Sequence, residues 1–284
     1  MPASGHLPQA RVPGQPELAL LHAGAGELVL FLHGVGGNKA NWERQVRVFA
    51  PHCHAVAWDM RGYGESDDFD GPMRFSDLSQ DVLRVLRHFD APAAHLVGLS
   101  MGGRIAFDFL HRHPDQVLSL TVCSASYRAS EMTLERRAAF LASRLRPLKA
   151  EGKTPADIAP AVARSLVGPQ ASPAAYEALV DSMRRLRTDS YIKALEATSM
   201  DNCEIVLESI RVPTHVVAAT QDALVPPQVM RPMANRIPGS LYSEIPDCGH
   251  LSNLEQPEAF DQVVLDFLKR QLQHTRSAEP CSRM

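Results

Sequence analysis

The chain has 284 residues, of which 45% are apolar and 21% charged, so it is long enough for one large domain with a sizeable core, with or without an insertion. Its net charge of −3 offers no basic surface of the kind that binds nucleic acid or anionic membranes. Its apolar runs end well short of the roughly 20 residues that span a bilayer. The proline-rich residues 1–26 contain no apolar segment typical of a secretory signal. We therefore expect a soluble cytoplasmic protein without a nucleic-acid or membrane partner.

The cysteines and histidines do not suggest a metal site. The five cysteines are scattered and contain no CxxC pair, which suits a reducing compartment better than a disulfide framework. His52/His54 and His111/His113 are pairs two residues apart, a spacing that does not place both rings on one helix face around a shared ion. We expect no metal and no cofactor.

Short apolar runs flanked by glycine, proline or aspartate predict six β-strands. These runs cover residues 28–32, 55–58, 95–99, 118–123, 215–219 and 241–245. Apolar residues at helical spacing predict helices over residues 41–49, 75–89, 101–112, 203–210, 226–236 and 257–272. Strands that alternate with helices favour an α/β fold, in which helices flank a mostly parallel central sheet.

The alternation stops between residues 125 and 205, where Glu, Arg, Ala and Leu recur at helical spacing and no strand pattern is present. We interpret this stretch as a helical unit inserted into the α/β core, which then comprises residues 1–124 and 206–284. Its arginines are either solvated side chains on helix surfaces or part of a surface that suits a substrate bearing carboxylates. The sequence leaves both interpretations open.

A serine between two glycines joins the predicted strand at 95–99 to the predicted helix at 101–112, in the sequence GLSMG. A serine hydroxyl is a poor nucleophile unless a base accepts its proton, and the oxyanion formed by its attack needs hydrogen-bond donors. In such a tight turn the N–H of Met101 points towards an oxyanion bound beside Ser100. Alone, the pentapeptide is equally typical of a helix start capped by serine. The preceding strand and the following helix favour a nucleophile.

A second glycine-rich turn, HGVGG at 33–37, follows the predicted strand at 28–32 and can supply the N–H of Val35 to the same oxyanion. The alternative is a phosphate-binding loop, but both GxGxxG and the Lys-Ser/Thr pair of a P-loop are absent. This second turn therefore favours acyl chemistry.

Two later loops provide a candidate base and a candidate acid. His250 follows the predicted strand at 241–245, and Gly249 gives that loop the freedom to turn the imidazole inward. Asp222 follows the predicted strand at 215–219, where an aspartate can fix the imidazole tautomer and stabilise the imidazolium formed during attack. The residue types, the strand ends and the order along the chain together predict a catalytic triad of Ser100, Asp222 and His250.

Five motifs together resemble the α/β-hydrolase fold superfamily over about residues 18–272. They are HGVGG at 33–37, DMRGYGES at 59–66, GLSMGG at 98–103, QDALVPP at 221–227 and CGHLSNLEQPEAF at 248–260. The resemblance implies an oxyanion hole formed by Val35 and Met101, the triad given above, and a mobile lid at residues 125–205.

Within the superfamily, GLSMGG and GHLSNLEQPEAF are most similar to the 3-oxoadipate enol-lactonase and carboxylesterase group. A serine nucleophile excludes, by resemblance, the haloalkane dehalogenases and epoxide hydrolases. The meta-cleavage C–C hydrolases usually have tryptophan after the catalytic histidine and an HGxGPG loop, and Leu251 and Gly37 depart from both. A C–C hydrolase, a perhydrolase or haloperoxidase, and a ligand-binding receptor with little turnover stay as alternatives.

The resemblance thus implies a cofactor-independent serine hydrolase that cleaves a small carboxylic ester or (enol-)lactone. The expected partner is that small-molecule substrate, and formation of a homodimer stays open. The candidate pocket residues are the neighbours of the oxyanion loop, the acid and the base, namely Trp42, Leu224, Val225 and Leu251. Trp42 is equally a candidate for the core of the first helix. The role of Cys248, two residues before His250, stays undecided.

Overall fold

The computed structural model describes residues 5–127, 133–201 and 204–278, and its central feature is an eight-stranded sheet. The strands are β1 (Gln9–Val12), β2 (Leu18–Ala23), β3 (Leu28–Leu32), β4 (His54–Trp58), β5 (Ala94–Leu99), β6 (Val117–Cys123), β7 (Thr214–Ala219) and β8 (Leu241–Ile245). Their order across the sheet is β1-β2-β4-β3-β5-β6-β7-β8. The pairings among β3 to β8 are parallel, whereas β1 pairs with β2, and β2 with β4, in antiparallel fashion. The predicted α/β fold with a mostly parallel sheet is confirmed.

The six predicted strands are β3 to β8, and their ends differ from the prediction by at most one residue. The apolar pattern misses β1 and β2. In β1 only four residues pair, and Gln9 and Arg11 are exposed, so no long alternation marks the strand. In β2, the apolar run is short and starts at Leu18, two residues after Pro16. Leu18 is nevertheless fully buried against the sheet. Both strands are recognisable only from their pairing with the rest of the sheet.

Ten helices accompany the sheet in the described ranges. They are α1 (Glu43–Phe49), α2 (Phe75–His88), α3 (Met101–Arg112), α4 (Leu134–Lys149), α5 (Pro155–Leu166), α6 (Pro173–Arg184), α7 (Thr188–Met200), α8 (Pro227–Arg236), α9 (Ser252–Glu255) and α10 (Pro257–Ala278). Of these, none combines the length and the apolar composition of a membrane-spanning segment.

Two apolar clusters lie on the two faces of the sheet, because successive side chains of a strand point to opposite faces. Leu30 of β3 belongs to the cluster that contains side chains of α2, α3 and α8, such as Ile105. Phe31, the next residue, belongs to the cluster that contains side chains of α1 and α10, such as Phe49 and Phe260. The sheet is therefore covered on both sides, and its carboxyl edge carries the loops that hold the predicted site.

The four helices α4 to α7 lie between β6 and β7, where the sequence predicts a helical unit. Three of them begin at a capping hydroxyl: the side chains of Thr133, Thr154 and Ser172 each accept a hydrogen bond from a backbone N–H in the first turn. Pro155 and Pro173 occupy first helical positions, where proline costs no hydrogen bond. Residues 128–132 and 202–203 of the predicted unit lie outside the described residues.

The predicted helix over residues 203–210 is wrong in its described part. Residues 204–206 are not helical, and Leu207–Ser209 forms a single 3₁₀ turn. Leu207 and Ile210 are buried three residues apart, a spacing that also occurs on one face of an amphipathic helix. Residue 203 lies outside the described ranges.

Candidate active site

Ser100 lies between β5 and α3 in a backbone conformation (φ 56°, ψ −118°) that side-chain-bearing residues rarely adopt. Its N–H donates a 2.9 Å hydrogen bond to the carbonyl oxygen of Cys123 at the end of β6. A Cβ at Gly98 would overlap the carbonyl oxygen of Gly102, and a Cβ at Gly102 would overlap the carbonyl oxygen of Leu32. The two glycines therefore allow the strained turn that an exposed nucleophile requires.

Val35 and Met101, the residues predicted to form an oxyanion hole, both lie beside Ser100. Met101 is the first residue of α3, and the N–H groups in the first turn of a helix have no partner within that helix. Val35 lies on the loop after β3, and a Cβ at Gly34 would be 3.1 Å from the Cβ of Ser100, so this loop packs directly against the serine. Both residues line the same cavity as Ser100. The predicted oxyanion-hole residues therefore lie on two different elements that border one cavity.

His33, a residue of the HGVGG motif to which the sequence gives no separate role, joins the loop after β3 to Met60. Its Nδ1 lies 2.8 Å from the carbonyl oxygen of Gly34, and its Nε2 lies 3.2 Å from the backbone nitrogen of Met60. A backbone N–H can only donate, so Nε2 accepts from Met60 and Nδ1 carries the proton that is donated to Gly34. Burial lowers the pKa of His33 and keeps the ring in this neutral form.

Asp222 and His250 meet at the carboxyl edge of the sheet, although they follow different strands. The Oδ2 atom of Asp222 lies 2.8 Å from Nδ1 of His250. Its Oδ1 atom accepts hydrogen bonds from the N–H groups of Leu224 (2.8 Å) and Val225 (2.9 Å). Burial is the largest influence on Asp222 and opposes ionisation, but the hydrogen bonds from His250 and the backbone together lower its pKa. The aspartate is therefore held as a carboxylate that can orient the imidazole.

The loop that carries His250 is joined to the inserted helices by backbone hydrogen bonds. The N–H of His250 donates to the carbonyl oxygen of Leu166 at the end of α5 (2.8 Å). The buried carboxylate of Glu255 accepts from the N–H groups of Gly168 (2.7 Å), Gly249 (2.9 Å) and Leu251 (3.1 Å). One side chain thus connects the loop after α5 to both neighbours of His250. The sequence gives no signal for this connection, because Gly168 and Glu255 are 87 residues apart.

A cavity of about 510 Å³ lies at this edge of the sheet. Of the nine site residues predicted from sequence, every one except Asp222 lines it, and Asp222 contacts the cavity residue His250. Each of the inserted helices α4 to α7 also contributes to the wall, which includes Phe140, Val162, Leu179 and Tyr191. Its volume falls within the range typical of small-molecule sites.

The four predicted pocket residues differ in how far they face the cavity. Leu224 is 42% exposed, and Val225 and Leu251 are half-buried. Trp42 is only 1% exposed, and its ring lies 5.2 Å from that of Phe31 and 5.8 Å from that of Phe260. Trp42 therefore belongs both to the cavity wall and to the apolar core.

The described cysteines are buried thiols rather than reactive ones. Cys53, Cys123 and Cys248 are free, and Cys203 and Cys281 lie outside the described residues. Burial, with smaller contributions from nearby carboxylates, raises the pKa of Cys248 to about 12. Its Sγ donates to the carbonyl oxygen of Ile245, so Cys248 supports the loop that carries His250. Among the described residues, no group of three or more His, Cys, Asp or Glu side chains is arranged to hold a metal ion.

Comparison with known proteins gives one family. The sequence profile of the alpha/beta hydrolase fold family matches residues 27–257. A 3-oxoadipate enol-lactonase of Acinetobacter baylyi is 27% identical over 261 residues, which cover 89% of this chain and 94% of that protein.

Comparison with solved structures leads to the same family. A thermophilic esterase from Thermogutta terrifontis, with malate bound, superposes with a TM-score of 0.83 at 27% identity, covering 93% of this chain and 99% of that one. The enol-lactonase from Burkholderia xenovorans superposes with a TM-score of 0.80 at 26% identity, covering 92% and 99%. The chain is therefore a member of the α/β-hydrolase fold family and is similar to its enol-lactonases and esterases, as the sequence motifs predict.

Proposed function

We propose that the protein is a cofactor-independent serine hydrolase that cleaves a small carboxylic ester or lactone. The observation that carries this proposal is the arrangement of three groups at one cavity. Ser100 lies in a strained strand-to-helix turn, His250 lines the same cavity, and Asp222 orients His250 through a 2.8 Å contact at Nδ1. Similarity to enol-lactonases and esterases supports ester or lactone carbonyls as the target.

In the proposed reaction, the Oγ of Ser100 attacks the substrate carbonyl while Nε2 of His250 accepts the hydroxyl proton. Asp222 stabilises the imidazolium that results, and the N–H groups of Val35 and Met101 bind the oxyanion. His250 then protonates the leaving alkoxide, which leaves an acyl-enzyme on Ser100. A water molecule deprotonated by the same imidazole releases the carboxylic acid and regenerates the serine. In a lactone the alkoxide stays attached to the acyl group, so a single hydroxy acid or its keto form is released.

We further propose that residues 125–205 act as a lid over this site. All four inserted helices contribute to the cavity wall, so a substrate bound beside Ser100 would contact them. Such a lid would exclude water from the acyl-enzyme until the leaving group has departed. The hydrogen bond from His250 to Leu166 and the contacts of Glu255 give the lid a fixed attachment beside the catalytic base.

Hydrolysis of p-nitrophenyl acetate and butyrate by the wild type and by Ser100→Ala tests the mechanism. We expect Ser100→Ala to lower kcat by at least about 10⁴-fold, because removal of a triad nucleophile leaves only the oxyanion hole and binding. Ser199→Ala is the matched control, since Ser199 lies on the wall formed by α7 and has no role in the scheme. It should retain turnover within about two- to three-fold.

Wild-type turnover by Ser100→Ala would contradict the proposal. Absence of turnover by folded wild-type protein with any ester or lactone would also contradict it and would favour a ligand-binding receptor. Assays with meta-cleavage diketones, and peracid formation in the presence of hydrogen peroxide, separate the C–C hydrolase and perhydrolase alternatives.

A further inference from the structure

Helix α4 presents two arginines to the cavity. Arg137, Phe140 and Arg144 all line it, and intervals of three and four residues place the three side chains on one face of the helix. No aspartate or glutamate lies among the described residues that line the cavity. Two cationic side chains therefore border a cavity whose described lining contains no carboxylate.

Arg144 differs from other cations of the inserted helices. Lys149, Arg187 and Lys193 each lie within 3.0 Å of a carboxylate oxygen. Arg144 is half-buried, and in the described ranges no carboxylate lies within ion-pair distance of its guanidinium. The guanidinium stacks instead on Phe140, 5.0 Å from the ring centroid. A cation partly removed from water is stable only with compensation, so the position is suited to an anion that arrives from outside the chain.

A third arginine on the cavity wall has a different role. Arg104 of α3 is 3% exposed, and its guanidinium donates to the carbonyl oxygens of Thr198 and Asp201 at the end of α7. It also stacks on Phe75, 4.6 Å from the ring centroid. These contacts satisfy carbonyl groups that a helix end leaves without partners. Arg104 thus joins α3 to α7, and we do not assign it to substrate.

We propose that Arg144 binds a carboxylate of the substrate, on the part of the molecule remote from the scissile bond. The inference rests on the proposed hydrolase function and specifies its substrate class as half-esters or lactones of dicarboxylic acids. A guanidinium offers two parallel N–H donors to a carboxylate, and its stacking on Phe140 fixes the plane in which they point. Ser100 and Arg144 would then bind opposite ends of one small substrate within a single cavity.

The test compares substrates that differ only in charge. Monomethyl esters of succinate, glutarate and adipate are paired with the corresponding methyl ester monoamides, and kcat/KM is measured in a pH-stat at pH 7.5. For the preferred chain length, the wild type should favour the carboxylate over the amide by about tenfold or more, the range expected for a charge-assisted contact. Any compound that is not cleaved is measured instead as an inhibitor of p-nitrophenyl butyrate hydrolysis.

Two substitutions of Arg144 test whether this residue causes the preference for the carboxylate. Arg144→Met should lower kcat/KM for the carboxylate substrate by about tenfold or more, while kcat/KM for the amide changes less than about twofold. Arg144→Lys should restore part of the preference, because the charge is kept and the paired donors are lost. Arg136→Met is the matched control: Arg136 is exposed on the same helix and does not line the cavity, so the preference should be unchanged.

Three results would overturn the inference. The first is equal use or equal inhibition by carboxylate and amide in the wild type. The second is an equal loss for both substrates in Arg144→Met, which would indicate a structural role. The third is the same loss in Arg136→Met, which would indicate a general effect of surface charge. In each case Ser100-dependent hydrolysis of p-nitrophenyl butyrate is measured in parallel, so a failure of this inference is distinguished from a failure of the hydrolase proposal.

Discussion

The α/β core and the inserted helices α4 to α7 build the same cavity with different kinds of contact. The core places its residues through hydrogen bonds of the backbone: the turn at Ser100 is bonded to β6, and the loop after β3 is bonded through His33 to Met60. The inserted helices face the cavity with side chains and are joined to each other partly by exposed ion pairs such as Lys149–Glu196. Backbone positions tolerate little change, whereas side chains on a helix face can be exchanged singly.

On the proposed function, we expect this difference to separate reactivity from substrate selectivity. A change in the core part of the site should affect every substrate, because it moves the reacting groups. A change on the cavity face of α4 should affect only those substrates that contact the changed side chain. The contacts of Glu255 join the two regions at His250, and they are the place where the separation should break down.

The largest effect should come from the core, at the contact between Asp222 and His250. Asp222→Asn keeps an acceptor for the N–H groups of Leu224 and Val225 but places an amide against the imidazole, which favours the wrong tautomer. We expect kcat to fall by about 10⁴-fold on every ester, neutral or anionic. Steady-state kinetics with both substrate classes measures this loss.

Asp247→Asn is the control for that substitution. Asp247 is exposed on the same loop as His250, and its positive φ of 54° is a conformation that asparagine adopts readily. Its kcat should stay within about twofold of the wild type. A loss in Asp222→Asn that differs strongly between substrate classes would contradict the separation of reactivity from selectivity.

A smaller effect is expected where the two regions meet. In Glu255 the two carboxylate oxygens accept N–H groups on the two sides of His250, Oε2 from Gly249 and Oε1 from Leu251. Glu255→Gln replaces one of these acceptors by an NH₂ group, so the imidazole should lose its position. We expect kcat to fall by about 10- to 100-fold with little change in KM, comparable to the loss of a supporting contact. The rate at which a fluorophosphonate labels Ser100 should fall in parallel, which a purely structural role would not cause well below the unfolding temperature.

Glu255→Asp keeps the charge and should recover part of that rate. Glu258→Gln, at an exposed position three residues along the chain, should leave both kcat and the labelling rate unchanged. If Glu255→Gln lowered only the unfolding temperature, Glu255 would stabilise the fold without positioning His250.

The sequence predicts the parts of the molecule that depend on neighbouring residues. Strands β3 to β8 are short apolar runs between turn residues, and the loops after β5, β7 and β8 carry Ser100, Asp222 and His250 in the expected order. Because parallel strands bring their carboxyl ends to one edge, the meeting of Asp222 and His250 follows from topology alone. The 2.8 Å contact between them agrees with that expectation.

The sequence cannot predict contacts made between distant segments. β2 is recognisable only from its pairing with β4, and Glu255 accepts from Gly168 only after α5 has packed against the loop of His250. The same reason explains why the sequence left the arginines of residues 125–205 unassigned. Arg104 and Arg144 both line the cavity, and only their contacts distinguish them. Arg104 is bonded to the end of α7, whereas Arg144 stacks on Phe140 and is the arginine that we propose for substrate binding.

The smallest expected effect is on the pH dependence of stability. Its histidine contribution should come from the α/β core alone, because all twelve histidines lie outside residues 125–205. Burial, with a smaller contribution from Arg270, lowers the pKa of His215 to about 4 in the folded protein. In the unfolded chain the pKa of a histidine is about 6.5. Between these pH values the unfolded state binds the additional proton. The stability contributed by neutral His215 is therefore fully present above about pH 6.5 and is lost as the pH falls towards about 4.

His215→Gln should remove part of this dependence, because glutamine can still bond to the hydroxyl of Ser243 but does not titrate. We expect the fall in the free energy of unfolding between pH 7.5 and pH 4.5, measured by urea titration, to be smaller than in the wild type by about 2 kcal/mol. His6→Gln, at an exposed position, should leave the fall unchanged. If the free energy of unfolding fell equally with pH in His215→Gln and the wild type, protonation of this buried imidazole would not contribute to destabilisation by acid. A smaller fall in His215→Gln would place that contribution in the α/β core, where the ring of His215 packs 5.2 Å from that of Phe267 in α10.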